Sequence, residues 1–172
     1  MKGFVKRSPS FPRNLLMFRL ILVLALSLSP GVAAGAATPE PRIVLFLGDS
    51  ITAGYGLDPD RAYPALIQEK IEAKRWPFKV VNAGQSGDTS AGGLSRLDWL
   101  LKNRVDVLVL QLGANDGLRG LPVETTRKNL QAIIDRTRAT YPAAKIVLAG
   151  MIVPPNMGRD YGQKFQAMFR DL

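Results

Sequence analysis

Apolar and polar positions change period several times along this chain, and each change predicts an element. Residues 43–47 are apolar without a break, as in a strand covered on both faces. Residues 63–75 place Leu66, Ile67 and Ile71 on one side of a helix, which Trp76-Pro77 ends. A second strand is predicted over 78–81. From Thr89 or Ser90, either of which can cap, a helix runs to about residue 103 and buries Leu94, Leu97, Leu100 and Leu101. Residues 105–110 are mostly β-branched and apolar and make the third strand. Pro122 suits the first turn of a long helix with Leu130, Ile133 and Ile134 as its buried stripe and Tyr141-Pro142 as its stop. A fourth strand over 145–149, a loop over 150–158 and a helix over 161–172, with Phe165, Met168, Phe169 and Leu172 as apolar contacts, complete the pattern.

Strands alternating with helices mean βαβ units and a parallel sheet, because parallel neighbours need crossover connections. The doubly wound order 2-1-3-4 puts strands one and three side by side in the middle. Their following loops diverge to opposite faces and open a crevice at the carboxyl ends of the strands. Three loops there are rich in glycine and short polar residues: G-D-S-I-T from Gly48, N-A-G-Q-S-G-D-T-S from Asn82 and Q-L-G-A-N-D-G-L-R-G from Gln111. Ser50 and Asn115 sit at the crevice, and Gly87 joins them if the second loop folds inward. A serine on a tight strand-to-helix turn can project its oxygen into a cleft near amides that stabilise negative charge. Each residue also has a plainer role: Asp49 or Ser50 as a helix cap, Gly87 as a turn residue, Asn115 as a turn former with Asp116. Asp49, Asp88 and Thr89 read as residues that hold loop shape. Nothing in the sequence points to a raised pKa at Asp49 or Asp88, so they do not read as a catalytic carboxylate pair. Arg119 reads as a solvated loop arginine or a contact for an anionic group. Met151 to Pro155 either line an acyl groove or pack at the strand end.

Length and composition then set the frame. The 172 residues, 47% of them hydrophobic, suit one domain with a real core. The start is different: basic residues without acids, an apolar run over 20–28, and Ala34-Gly35-Ala36 as an A-x-A cleavage site. That is the pattern of a secretory signal peptide over 1–36, with an uncleaved anchor as the alternative and Met17 as a second possible start. The domain is expected over 37–172, in the periplasm or secreted. The whole chain carries +9, but 5 basic and no acidic groups lie in the first 36 residues. The remaining 18 basic and 14 acidic groups are interspersed, so the clustered basic face that nucleic acid requires is not seen. The chain has no cysteine and no histidine. No disulfide, thiol nucleophile, metal or cofactor is implied.

The segments G-D-S-I-T at 48–52, S-G-D-T-S at 86–90 and G-A-N-D at 113–116 resemble the first three blocks of the GDSL, or SGNH, hydrolases. The intervening sequence is similar to the bacterial arylesterase and thioesterase I/lysophospholipase branch from about Arg42 onward. The resemblance implies a flavodoxin-like, SGNH-type three-layer α/β sandwich. It implies Ser50 as nucleophile, with its own N–H, the Gly87 N–H and the Asn115 side-chain amide as oxyanion donors. Such donors lower the barrier because ester hydrolysis passes through a tetrahedral intermediate whose oxygen gains charge. The family's fourth block, D-x-x-H, has no counterpart here, and a fifth strand is missing from the pattern. The final helix also lacks a stop signal, so the sequence is expected to be truncated. The expected function is an exported serine esterase acting on a small ester or acyl substrate. The alternative is a non-catalytic relative that binds an acyl or glycan ligand. Membrane contact is expected only through the signal peptide.

Overall fold

Parallel pairing is the first thing the fold confirms. The computed structural model describes residues 40–172; the expected signal peptide lies outside them. Four strands, β1 (Arg42–Gly48), β2 (Phe78–Gly84), β3 (Val107–Gln111) and β4 (Lys145–Leu148), form a parallel sheet in the order β2-β1-β3-β4. Six α-helices accompany them: α1 (Ser50–Ala53), α2 (Tyr63–Ala73), α3 (Ser90–Leu100), α4 (Ala114–Leu118), α5 (Val123–Thr140) and α6 (Arg159–Asp171).

Strand alternation divides the apolar residues between two faces. Leu45, Leu47, Leu108 and Leu110 point into a core closed by Leu97 of α3, Leu130 and Ile133 of α5, and Phe165 and Met168 of α6. Phe46 points the other way and meets Tyr63 edge-on, with ring centroids 5.5 Å apart. On that side α2 is tied to β2 by the Val80 N–H, which donates to Gln68 Oε1 at 2.7 Å. The result is a three-layer sandwich with β1 at its centre. β4 is a sheet edge, and Val147 there is 51% exposed.

Several boundaries differ from the periodic expectation, each for a local reason. β2 runs on to Gly84 because β1 pairs with it as far as Gly48↔Gly84. Asn82 also fastens that stretch, donating to the Thr52 carbonyl at 3.0 Å and accepting from the Gly84 N–H at 2.9 Å. β3 starts at Val107 rather than 105, since Asp106 is occupied in capping the sheet, accepting the Ile43 N–H at 2.7 Å. α2 stops at Ala73; Arg75 takes a φ of 53° and the Trp76 N–H turns back to the Ile71 carbonyl. Of the two short helices, α1 is the one that the sequence reading expected Asp49 or Ser50 to cap, and α4 is absent from that reading.

Candidate active site

The ends of β1, β2 and β3 lie in one row. Gly48 is paired with Gly84 on one side and with Gln111 on the other. Neighbouring strands are about 4.8 Å apart, so the three loops leave the sheet side by side. Ser50 follows Gly48 by two residues, Gly87 follows Gly84 by three, and Asn115 follows Gln111 by four.

Ser50 is the first residue of α1 and is half-buried. The cap is Asp49, whose Oδ1 accepts the Ile51 N–H at 3.0 Å, which leaves the serine free of that duty. Close approach of β2 to α1 depends on Gly84: a Cβ there would stand 2.2 Å from the Ala53 nitrogen. Gly87 is exposed and has a φ of 84°, the left-handed region that glycine enters without steric cost, and nothing would crowd an added Cβ. The position is thus a conformational requirement of the loop. Among the described residues, neither the Ser50 N–H nor the Gly87 N–H finds an acceptor.

Asn115 lies on α4 and donates through Nδ2 to the Asp88 carbonyl at 2.8 Å. An amide nitrogen carries two hydrogens, so one remains available. Arg119 donates to the Gly87 carbonyl at 3.2 Å, so this loop arginine is exposed and also braces the second loop. The third loop is therefore bonded directly to the second. Ser50 makes no hydrogen bond to either, and its strand is joined to them one step back.

The end of β1 meets the second loop through the Gln85 N–H, which donates to the Gly48 carbonyl at 3.0 Å, and through a residue the sequence did not single out. Arg96 of α3 donates from Nε to Asp88 Oδ2 at 2.7 Å and from its terminal nitrogen to the Gly48 carbonyl at 3.1 Å. One side chain thus spans from the second loop to the end of β1. Asp116 does the equivalent work between the second and third loops. Its carboxylate accepts the Ser90 N–H at 2.8 Å and the Ser90 hydroxyl at 2.6 Å, with Thr126 at 3.3 Å. Thr89, not Ser90, caps α3.

Beneath Ser50 lies a second polar group. Thr52 donates to Gln111 Oε1 and pairs with the Tyr63 hydroxyl at 3.0 Å. Asp49 is fully buried beside them, and burial pushes its carboxyl above the ordinary range. The Ile51 N–H and the Gln111 side chain oppose that shift, while the Asp88 carboxylate adds to it. The sequence offered no sign of a raised pKa at Asp49; the enclosure that raises it is visible only in three dimensions. Burial likewise raises the Tyr63 hydroxyl, with the Asp49 charge acting in the same direction. Among the described residues no cluster of three or more His, Cys, Asp or Glu is arranged to hold a metal. In the loop after β4, Met151 and Val153 pack against the core, whereas Ile152 is 74% exposed.

A serine on a tight turn at the ends of parallel strands, with glycine-rich loops leaving the sheet beside it, is compatible with acyl transfer. The family model for the GDSL-like Lipase/Acylhydrolase family matches residues 46–172. The chain belongs to that family. Relatives of this GDSL chain include the esterase TesA of Pseudomonas aeruginosa, 41% identical over 129 residues, covering 74% of this chain and 63% of TesA. Thioesterase 1/protease 1/lysophospholipase L1 of Escherichia coli is 42% identical over 130 residues, covering 75% of this chain and 60% of the relative. The chain thus spans less than two thirds of the length of these two relatives. The crystal structure of AlinE4, an SGNH-hydrolase family esterase, superposes with a TM-score of 0.73 at 36% identity, over 78% of this chain and 72% of AlinE4. The GDSL chain shares the SGNH hydrolase fold, and its relatives are named as carboxylic ester hydrolases. Among the described residues, no helix is long and apolar enough to cross a membrane.

Proposed function

We propose that this chain carries the nucleophile and oxyanion hole of an exported serine esterase that hydrolyses carboxylic esters or thioesters of small acyl substrates. Ser50 Oγ attacks the carbonyl carbon. The oxygen that gains charge is met by the N–H groups of Ser50 and Gly87 and by the second amide hydrogen of Asn115. Removing one such donor typically costs about 3 kcal/mol in the transition state. What supports this reading is the shared strand register, which brings the three loops to one edge of the sheet, together with the Asn115–Asp88 bond, which joins two of them. The names of the relatives support an ester or thioester substrate. Residues 1–36 act as the signal peptide, and the domain works in the periplasm or outside the cell.

The chain holds no histidine, so it supplies no imidazole to take the Ser50 proton. A triad enzyme lacking a member keeps only about 10³–10⁴-fold over water. The same fact favours a second reading, a relative that binds an acyl or glycan ligand without turning it over. Added imidazole separates the two. Hydrolysis of short p-nitrophenyl esters by the 172-residue chain should be slight alone. With imidazole it should exceed that of the Ser50→Ala variant. Equal rates for both proteins would overturn the nucleophile assignment and favour ligand binding. Rapid Ser50-dependent hydrolysis without imidazole would overturn the claim that the base is lacking.

A further inference from the structure

Asp49 stands next to the proposed nucleophile and is the most fully enclosed carboxyl at the strand ends, with no exposed surface. Its two oxygens have different surroundings. Oδ1 accepts the Ile51 N–H; Oδ2 is buried without any hydrogen-bond partner. Gln111 lies close enough to favour the charged form, yet it does not bond Oδ2, and its Oε1 is taken by Thr52. Among the described residues no ion pair reaches Asp49. From α2 it is faced by the Tyr63 hydroxyl, and from the second loop by the like charge of Asp88. Arg96 of α3 reaches the neighbouring Gly48 carbonyl, but its Nε is bonded to Asp88. An ionised carboxylate enclosed in this way, with one oxygen unsolvated and no cation paired to it, carries a large desolvation cost.

We propose that Asp49 is a positioning residue that works as the neutral carboxylic acid, fixing the turn at Ser50 while keeping negative charge away from the place where the oxyanion forms. The second half of this proposal rests on the reading of Ser50 as nucleophile. The physical reason is direct. A fixed negative charge one residue from the attacking oxygen would raise the energy of the oxyanion, and would do so in a poorly screened setting. A protonated carboxyl keeps the cap on α1 through Oδ1 without that field. Burial acts in the required direction, holding the proton at pH values where exposed aspartates have lost theirs.

Carboxyl NMR on the 172-residue chain labelled with ¹³C-aspartate, with Asp49→Asn used for assignment, tests this without relying on any catalysis. The Asp49 Cγ resonance should stay at its protonated position while the exposed aspartates titrate. The Ser50 and Ile51 amide resonances should shift with Asp49 at higher pH, and should be pH-independent in Asp49→Asn. Stability gives a second readout. A carboxyl raised in the folded state contributes stability below the ordinary value of 3.8 that is lost as pH rises through its folded pKa. Wild type should therefore lose unfolding temperature relative to Asp49→Asn across that window, while Asp49→Ala, which lacks the cap, should be less stable than Asp49→Asn throughout. An Asp49 carboxyl that titrates with the exposed aspartates would overturn the proposal, as would an Asp49→Asn protein no more stable than Asp49→Ala. Failure of imidazole to reveal Ser50-dependent hydrolysis would instead remove the nucleophile reading, leaving the titration to decide the state of Asp49.

Discussion

The ends of β1, β2 and β3 differ in kind from the end of β4. At the first three, polar groups are buried: Asp49, Thr52, Asp88, Ser90, Gln111, Asp116 and Thr126 gather there, and among the described residues only Thr137 is a buried polar residue elsewhere. At the fourth, the loop over 150–158 is held by apolar contact, with Met151 and Val153 on the core and Ile152 in solvent. Apolar contact is non-directional, so it can seat a loop without fixing where any one N–H points. Hydrogen bonds from buried groups do fix direction, and leaving them unmade is costly. A polar network therefore stands where donors must be aimed, and apolar packing suffices where only a rim is needed.

The sharpest way to break this contrast is to remove the residue that serves both regions. Phe165 of α6 is fully buried, edge-on to Phe169 with centroids 5.4 Å apart. It also lies beneath α4, since a Cβ on Gly117 would come within 3.0 Å of its ring. Phe165→Ala should cost about 3–5 kcal/mol by urea unfolding. It should also loosen Asn115, seen as faster amide exchange across α4. A loss below about 1 kcal/mol would mean that α6 is not the floor of the third loop.

A smaller effect is expected within the polar network. Arg96→Ala leaves the Asp88 carboxylate, 9% exposed, without its cation, and removes one of the two donors to the Gly48 carbonyl, which keeps the Gln85 N–H at 3.0 Å. The Arg96 side chain is itself 20% exposed, which lets water screen part of the loss. The expected cost is about 1–2 kcal/mol, with faster amide exchange at Gly87 and none of the change across α4. Arg96→Lys should recover only part of it, because an ammonium cannot reach two acceptors with the fixed fork of a guanidinium. Full recovery by lysine would show that charge alone matters at this point.

These residues also mark how much the sequence could reveal. The four strands, their order and the helices α2, α3, α5 and α6 were legible because each carries a long apolar period. Ser50, Gly87 and Asn115 were proposed from short motifs, and the register of the sheet brings their loops to one edge. α4 was not legible, since five residues hold too little of a helical period to register, and α1 was legible only through its cap. Arg96 was missed for another reason. On α3 it reads as an ordinary exposed arginine, and the carbonyl it meets lies 48 residues away in the chain. Gln111 read as the start of a loop, although it ends β3 and is buried. Directional contacts between distant segments leave no local pattern behind.

The mildest prediction probes the β4 end itself. Along Met151, Ile152 and Val153 the outer residues turn inward and the middle one outward, so the two sequence readings of this loop divide between neighbours. Packing belongs to Met151 and Val153; Ile152, with the exposed Pro154 and Pro155 beyond it, is free to meet a ligand. Ile152→Ser should leave stability within about 0.5 kcal/mol of wild type, since the side chain is already in water. If Ile152 touches an acyl chain, the same substitution should weaken binding of a long-chain ester more than of a short one, at about 0.8 kcal/mol per methylene no longer covered. A stability loss above about 1 kcal/mol would mean that this rim is as firmly seated as the loops over β1, β2 and β3. Directional and non-directional support would then no longer distinguish the two regions.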